Sequence, residues 1–157
     1  MGAKPRVLFV CTGNSCRSQM AEGWARRLIG EGMEPSSAGV DPGRLDPRAV
    51  VVMNEAGVDI SGHRAKALAE VAGIAFDLVV TVCGDASESC PRFPGRAVVI
   101  HRGFDDPPRL VSGVSSEEEA LGHYRRVRDE IRAFVEDLPR LLAVERGEST
   151  VAEAAGP

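Results

Sequence analysis

Arg6 to Gly30 reads RVLFVCTGNSCRSQMAEGWARRLIG, and its first residues decide the fold class. Arg6 to Val10 is a continuous apolar, β-branched-rich run bounded by Pro5 and a glycine-containing loop, the pattern of a strand buried on both faces. From Ser18 the period changes. Met20, Trp24 and Leu28 make one stripe at helical spacing, Ala21, Ala25 and Ile29 lie beside it, and Gly30 is placed to end the helix. Arg26 and Arg27 fall in the last turn, where the helix end is negative. A buried strand running straight into an amphipathic helix opens a βα unit.

The alternation continues outward from this stretch. A second strand is expected around Ser36 to Val40. Asp46 is an N-cap before Pro47 at a first helical position, and Ala49, Val52, Met53 and Ala56 recur at helical spacing up to Gly57. Leu68 to Ala72 predicts a short further helix. Asp77 to Cys83 (DLVVTVC) and Ala97 to His101 (AVVIH) read as buried strands separated by a Gly, Ser and Pro-rich loop. Ser116 and Glu119 form a capping box, and Ala120, Tyr124, Val127, Ile131, Phe134, Val135 and Leu138 predict an amphipathic helix to about Pro139. The expected fold is α/β, a single doubly wound domain over residues 1–144 with a four-stranded parallel sheet and helices on both faces. Residues 145–157 lack periodicity and are expected to form a mobile tail. Right-handed crossovers bring the C-terminal ends of all strands to one edge, where ligands bind.

Composition removes several classes of function. With 157 residues, 43% hydrophobic and 27% charged, the chain is one globular domain. Nineteen Lys and Arg against 23 Asp and Glu leave a net charge of −4, so no global positive field draws in nucleic acid. The longest N-terminal apolar run, Val7 to Cys11, is too short for a signal-peptide core or a membrane span, and a cytoplasmic protein with no membrane partner is expected. In that reducing compartment Cys11, Cys16, Cys83 and Cys90 serve catalysis, metal binding or no role. Gaps of four and six residues between paired cysteines exceed most zinc-knuckle spacings, and His63, His101 and His123 are scattered. No metal is expected. No Walker loop, Gly-x-Gly-x-x-Gly or Cys-x-x-Cys is present, so no bound cofactor is expected either.

Cys11-Thr12-Gly13-Asn14-Ser15-Cys16-Arg17-Ser18 joins the first strand to the first helix, and this placement suits an oxyanion-binding loop. Gly13 and Asn14 tolerate the positive φ that turns successive N–H groups inward, and the helix adds its positive end. Arg17 offers a planar fork for two anion oxygens. The same dipoles favour a thiolate at Cys11, and Ser18 is positioned to hydrogen-bond it. A nucleophile inside an oxyanion cradle points to attack on a phosphate-like centre. The departing oxygen needs a proton, and Asp106 in Asp105-Asp106-Pro107 is the candidate donor, with Asp105 the alternative and a plain turn the non-catalytic reading. Cys16 reads as a small side chain filling the loop wall.

VCTGNSCRSQMAEGWA (Val10 to Ala25), DLVVTVCGDASESCP (Asp77 to Pro91) and GFDDP (Gly103 to Pro107) together resemble the thioredoxin-coupled arsenate reductases built on the low-molecular-weight tyrosine phosphatase fold. The resemblance spans about residues 6–138. It implies a relay in which Cys11 attacks arsenate with Asp106 as acid, Cys83 attacks Cys11 to release arsenite, and Cys90 attacks Cys83. The disulfides are then Cys11–Cys83 followed by Cys83–Cys90. It implies thioredoxin as reductant, fed by NADPH through thioredoxin reductase, with glutathione and glutaredoxin the alternative. Phosphate and sulfate are expected competitors, and a monomer is expected. The segment Gly84 to Ser89 is small and polar, which suits a change of shape between Cys83 and Cys90.

Two positions depart from the pattern. Some relatives bind potassium beside the loop through groups matching Asn14, Glu22, Ser37 and an aspartate, whose place here is taken by Lys66. An ammonium cannot ligate a cation, so no potassium site is expected. Arg102 stands where relatives often carry an aromatic residue. The competing function is a tyrosine phosphatase or general phosphomonoesterase, for which Cys11, Arg17 and Asp106 are the full catalytic set. Against it, Asp106-Pro107-Pro108 lacks the tyrosine that commonly follows Asp-Pro in those enzymes.

Overall fold

The computed structural model describes residues 4–83 and 97–147. Four parallel strands, β1 (Arg6–Cys11), β2 (Glu34–Gly39), β3 (Leu78–Thr81) and β4 (Val98–His101), form one sheet in the order β2-β1-β3-β4. Val7, Leu8, Phe9 and Val10 are fully buried, because β1 is central and packed on both faces. Register is continuous across the middle of the sheet, with Phe9 opposite Ser37 on one side and Val80 on the other.

The α-helices among the described residues are α1 (Arg17–Ile29), α2 (Pro47–Glu55), α3 (Pro107–Leu110) and α4 (Glu117–Glu145). Val7, Phe9, Leu78 and Val80 pack with Met20 and Trp24 of α1, Val52 and Met53 of α2, and Val127 and Ile131 of α4 in the larger core. Leu8, Val10, Ala38 and Val79 face the other way, against Val71 of a 3₁₀ helix (Leu68–Val71). The period-2 alternation of β1 thus divides its side chains between two cores. Among the described residues the second face carries that short 3₁₀ helix, where a short helix was expected over Leu68 to Ala72.

Local signals place the helix ends. Asp46 Oδ1 accepts from Arg48 N at 2.9 Å ahead of Pro47, and Ser116 Oγ accepts from Glu119 N at 3.1 Å. The Glu119 carboxylate accepts from Ser115 Oγ at 3.3 Å instead of completing the capping box. Glu117, Glu118 and Glu119 fill the first turn of α4, the end at which carboxylates are favoured. Contrary to the expected stop near Pro139, α4 continues to Glu145. Proline costs a helix about 3 kcal/mol, but Leu138 and Leu142 on either side are buried, and a buried leucine returns about 1.5–3 kcal/mol. Gly30 ends α1 with an ordinary right-handed φ of −61°.

The order β2-β1-β3-β4 sets the site. From β1 the chain moves to one edge of the sheet, then crosses back over β1 to β3, so the connections diverge between β1 and β3. In open α/β sheets such a switch point opens a crevice at the carboxyl ends of the strands. The end of β1 at Cys11 and the segment after β3 with Cys83 flank it. No helix among the described residues is long and apolar enough to cross a membrane.

Candidate active site

Every carbonyl from Thr12 to Cys16 is held from outside the loop. Thr12 O accepts from Asp41 N, Gly13 O from Gly43 N, Ser15 O from Asp46 N and Cys16 O from Met20 N, each at 2.9 Å, and Asn14 O accepts from Gln19 Nε2 at 3.0 Å. A peptide N–H points opposite to the preceding C=O, so the amides of Gly13 to Arg17 face the centre. The result is an anion nest at the N-terminus of α1. One left-handed residue closes it, Asn14 at φ 49°. Gly13, expected to share that role, is not among the positive-φ residues; a single αL residue suffices to turn the loop, and asparagine tolerates it.

The sheet leaves room for the loop at Gly39. A Cβ there would lie 2.7 Å from Thr12 O and 2.8 Å from Asn14 N, so the end of β2 passes against the loop only because residue 39 has no side chain.

Cys11, at the end of β1, is buried, and its Sγ lies 2.9 Å from Ser18 Oγ. Asn14 Nδ2 donates to the same hydroxyl at 2.8 Å. The orientation of the Asn14 amide is set by two donors to its Oδ1, Lys66 N at 2.7 Å and Gln19 Nε2 at 3.1 Å. Ser18 Oγ therefore receives a proton from Asn14 and has its own to give to Cys11. Gln19 is a residue that sequence reasoning missed: it spends Nε2 on Asn14 and Arg64 O and accepts from His63 Nδ1 at 2.9 Å through Oε1. A single glutamine in the first turn of α1 carried no signal of this.

Arg17 is buried, donates from Nη1 to Phe104 O at 3.1 Å, and has Nη2 3.6 Å from Asp106 Oδ1. The guanidinium thus joins the oxyanion loop to the acid loop. Phe104 is locked edge-on against Phe134 at 5.9 Å, with the Arg102 guanidinium 4.3 Å over its ring. Arg102 is accordingly a cap on the buried Phe104. Asp105 turns away, accepting from Arg126 Nη2 at 2.9 Å with its side chain 61% exposed. Of the two aspartates, Asp106 is the one brought to Arg17.

Cys16 is the N-cap residue of α1 and is buried. Burial, followed by the nearby Asp46 charge, pushes its thiol well above the ordinary value, which fits a wall residue and leaves it protonated and inert. Asp46 supports the loop from below through its N–H to Ser15 O, and Tyr124 OH donates to Asp46 Oδ2 at 2.6 Å. Burial and that carboxylate raise the Tyr124 pKa, so the phenol stays a donor. The sequence marks Asp46 only as a helix cap and Tyr124 only as part of a stripe.

Cys83 is buried just beyond β3. Val82 N donates to Val10 O at 2.9 Å, continuing the β1–β3 ladder, so Cys83 stands alongside the start of the loop. Cys90 and the rest of the connection to β4 lie outside the described residues. Among the described residues Thr12 Oγ1, at the second position of the loop, is buried and has no hydrogen-bond partner. Among the described residues no three His, Cys, Asp or Glu side chains gather to hold a metal ion.

A buried thiol in an anion nest is backed here by a serine and fronted by an Arg–Asp pair, and the chain matches the low molecular weight phosphotyrosine protein phosphatase family over residues 6–147. The chain belongs to that family. Within the low molecular weight phosphatase family it is similar to an arsenate reductase of Bacillus subtilis (strain 168), 46% identical over 125 residues, 80% of this chain and 88% of the relative. A solved arsenate reductase in the phosphate binding state has a TM-score of 0.68 and 30% identity, covering 88% of this chain and 98% of that one. A thioredoxin-dependent arsenate reductase of Corynebacterium glutamicum has a TM-score of 0.64 and 27% identity, covering 91% of this chain and 64% of that one.

Proposed function

We propose that the protein reduces arsenate to arsenite with Cys11 as nucleophile and Cys83 and Cys90 as resolving thiols. The observation that carries this reading is the second thiol, Cys83, buried beside the start of the Cys11 loop. A phosphomonoesterase has no use for it.

Arsenate enters the nest, with Arg17 and the inward amides on its oxygens. The Cys11 thiolate, hydrogen-bonded by Ser18, attacks arsenic, and Asp106 protonates the departing oxygen, which leaves as water. Cys83, as thiolate, then attacks Cys11 Sγ. The sulfur–sulfur bond forms as the sulfur–arsenic bond breaks, and its electron pair stays on arsenic, so As(V) becomes As(III) while two thiols become one disulfide. Cys90 attacks Cys83, frees Cys11, and leaves a Cys83–Cys90 disulfide. Two electrons from thioredoxin, reduced by NADPH through thioredoxin reductase, close the cycle. The protein itself holds no cofactor, acts as a monomer in the cytoplasm, and meets phosphate and sulfate as competitors for the nest. Support for thioredoxin comes from the resemblance in sequence and from the C. glutamicum relative.

The second reading, a phosphatase, is favoured by the shared Cys11, Arg17 and Asp106. Against it, no exposed aromatic side chain among the described residues offers a wall for phosphotyrosine. The chain's one tyrosine, Tyr124, is 2% exposed and bonded to Asp46.

Arsenate-dependent NADPH oxidation with thioredoxin and its reductase, measured on wild type and on Cys11→Ser, Cys83→Ser and Cys90→Ser, tests the relay, with p-nitrophenyl phosphate hydrolysis in parallel. Turnover that needs all three thiols supports it. Fast ester hydrolysis with Cys90→Ser as active as wild type establishes the phosphatase. Turnover with glutaredoxin and glutathione in place of thioredoxin reassigns only the reductant.

A further inference from the structure

Glu22 of α1 is buried at 4% exposure. Its Oε2 accepts from Arg26 Nε at 3.0 Å and Nη2 at 2.8 Å. Its Oε1 accepts from Ser37 Oγ at 2.6 Å and lies 3.8 Å from Lys66 Nζ. The Lys66 side chain is 21% exposed. The same residue's main chain reaches the loop, donating from N to Asn14 Oδ1 at 2.7 Å and accepting from Gly39 N at 2.8 Å.

Asn14, Glu22 and Ser37 match three of the groups that hold potassium in some relatives, but here they do not fit a bound ion. Asn14 Oδ1 already accepts two N–H groups, and Glu22 Oε1 is shared between a hydroxyl and an ammonium. A metal ion on that carboxylate oxygen would sit within a few ångströms of a like charge. The tethered ammonium places one positive charge 3.8 Å from Glu22 Oε1, without an ion to lose.

We propose that Lys66 is a positioning residue for the oxyanion loop, its tethered ammonium taking the place of a monovalent cation. The ammonium pins residue 66 to Glu22 of α1, and the pinned peptide holds the Asn14 amide in the orientation that sends the Ser18 proton to Cys11. The loop then needs no added cation. This rests on the proposed function only in taking Cys11 as the nucleophile, and it applies equally to arsenate and phosphate.

The test is the affinity for inorganic phosphate, read as protection of Cys11 from iodoacetamide and located by peptide mass, in choline, sodium and potassium chlorides at equal ionic strength. It involves no arsenate, so failure of the reductase reading leaves it intact. Wild type is expected to bind equally in all three salts. Lys66→Ala is expected to lose about tenfold in affinity in choline and to recover most of it in potassium. Lys66→Met, which fills the space without charge, is expected to be weak in every salt. Wild-type affinity that rises severalfold in potassium overturns the proposal, and that arm needs no variant. Full affinity of Lys66→Ala in choline also overturns it, as does a loss that no cation repairs.

Discussion

The Asn14 amide, 2.8 Å from the Ser18 hydroxyl, decides where that hydroxyl's proton goes. Because Nδ2 donates to Ser18 Oγ, the serine proton is directed to Cys11 Sγ at 2.9 Å. Ser18→Ala removes the donor to Cys11 in its proposed role as nucleophile, and a hydrogen bond to a thiolate formed there is worth about 1.5–3 kcal/mol. A fall in kcat/KM of about 10- to 100-fold is expected, with slower alkylation of Cys11. It also strands Asn14 Nδ2 in the interior, and the urea midpoint is expected to drop.

Gly39→Ala inserts a Cβ 2.7 Å from Thr12 O and 2.8 Å from Asn14 N. Both neighbours are backbone of the loop, so the loop must shift. A loss of about 1–3 kcal/mol in stability is expected, together with a loss of phosphate binding that exceeds what partial unfolding explains. Thermal melting and phosphate protection of Cys11, measured on the same preparation, separate the two effects.

The two adjacent aspartates are expected to behave differently. Asp106, 3.6 Å from Arg17 Nη2, is the proposed proton donor, and Asp106→Asn is expected to slow the first chemical step by about 10²- to 10⁴-fold. Asp105 is in an exposed pair with Arg126, a kind of contact worth about 0–1 kcal/mol. Single-turnover formation of arsenite should leave Asp105→Asn near wild type. Equal losses in both variants would remove the assignment.

Tyr124→Phe takes away the donor to Asp46 Oδ2. Asp46 retains its cap on Arg48 N and its own N–H on Ser15 O, so the fold is expected to persist. The cost expected in urea denaturation is about 1.5–3 kcal/mol, that of a hydrogen bond to a charged group. Anion affinity is expected to fall less than in Gly39→Ala, because the phenol touches the loop only through Asp46.

Burial is the main cause that holds the His63 pKa below its ordinary value. As pH falls through about 6.5 the unfolded chain takes up this proton before the folded one does. The unfolded state then binds more protons, so stability falls with pH in that window. His63→Gln keeps a donor for Gln19 and removes the titration. Urea midpoints at about pH 7.5 and about pH 5.5 should differ less in the variant than in wild type.

The order of strands and helices, the position of the loop and the identity of its thiol and guanidinium are carried by short-range pattern. A five-residue apolar run, a change of period and a Cys-x5-Arg segment are local facts, and turn and cap chemistry acts within a few residues. The same locality explains where reading along the chain fell short. It shared the turn between Gly13 and Asn14, since both residue types tolerate it, whereas the loop closes with Asn14 alone at φ 49°. It ended α4 at Pro139, since the burial of Leu142 that carries the helix onward is a tertiary fact. The direction of the Ser18 proton depends on Lys66, 52 residues from Asn14. The support of the loop depends on Tyr124, 78 residues from Asp46. The choice between Asp105 and Asp106 depends on which of two arginines each one meets. These are pairings between distant segments, and only packing of the strands and helices against one another brings such partners within hydrogen-bonding reach.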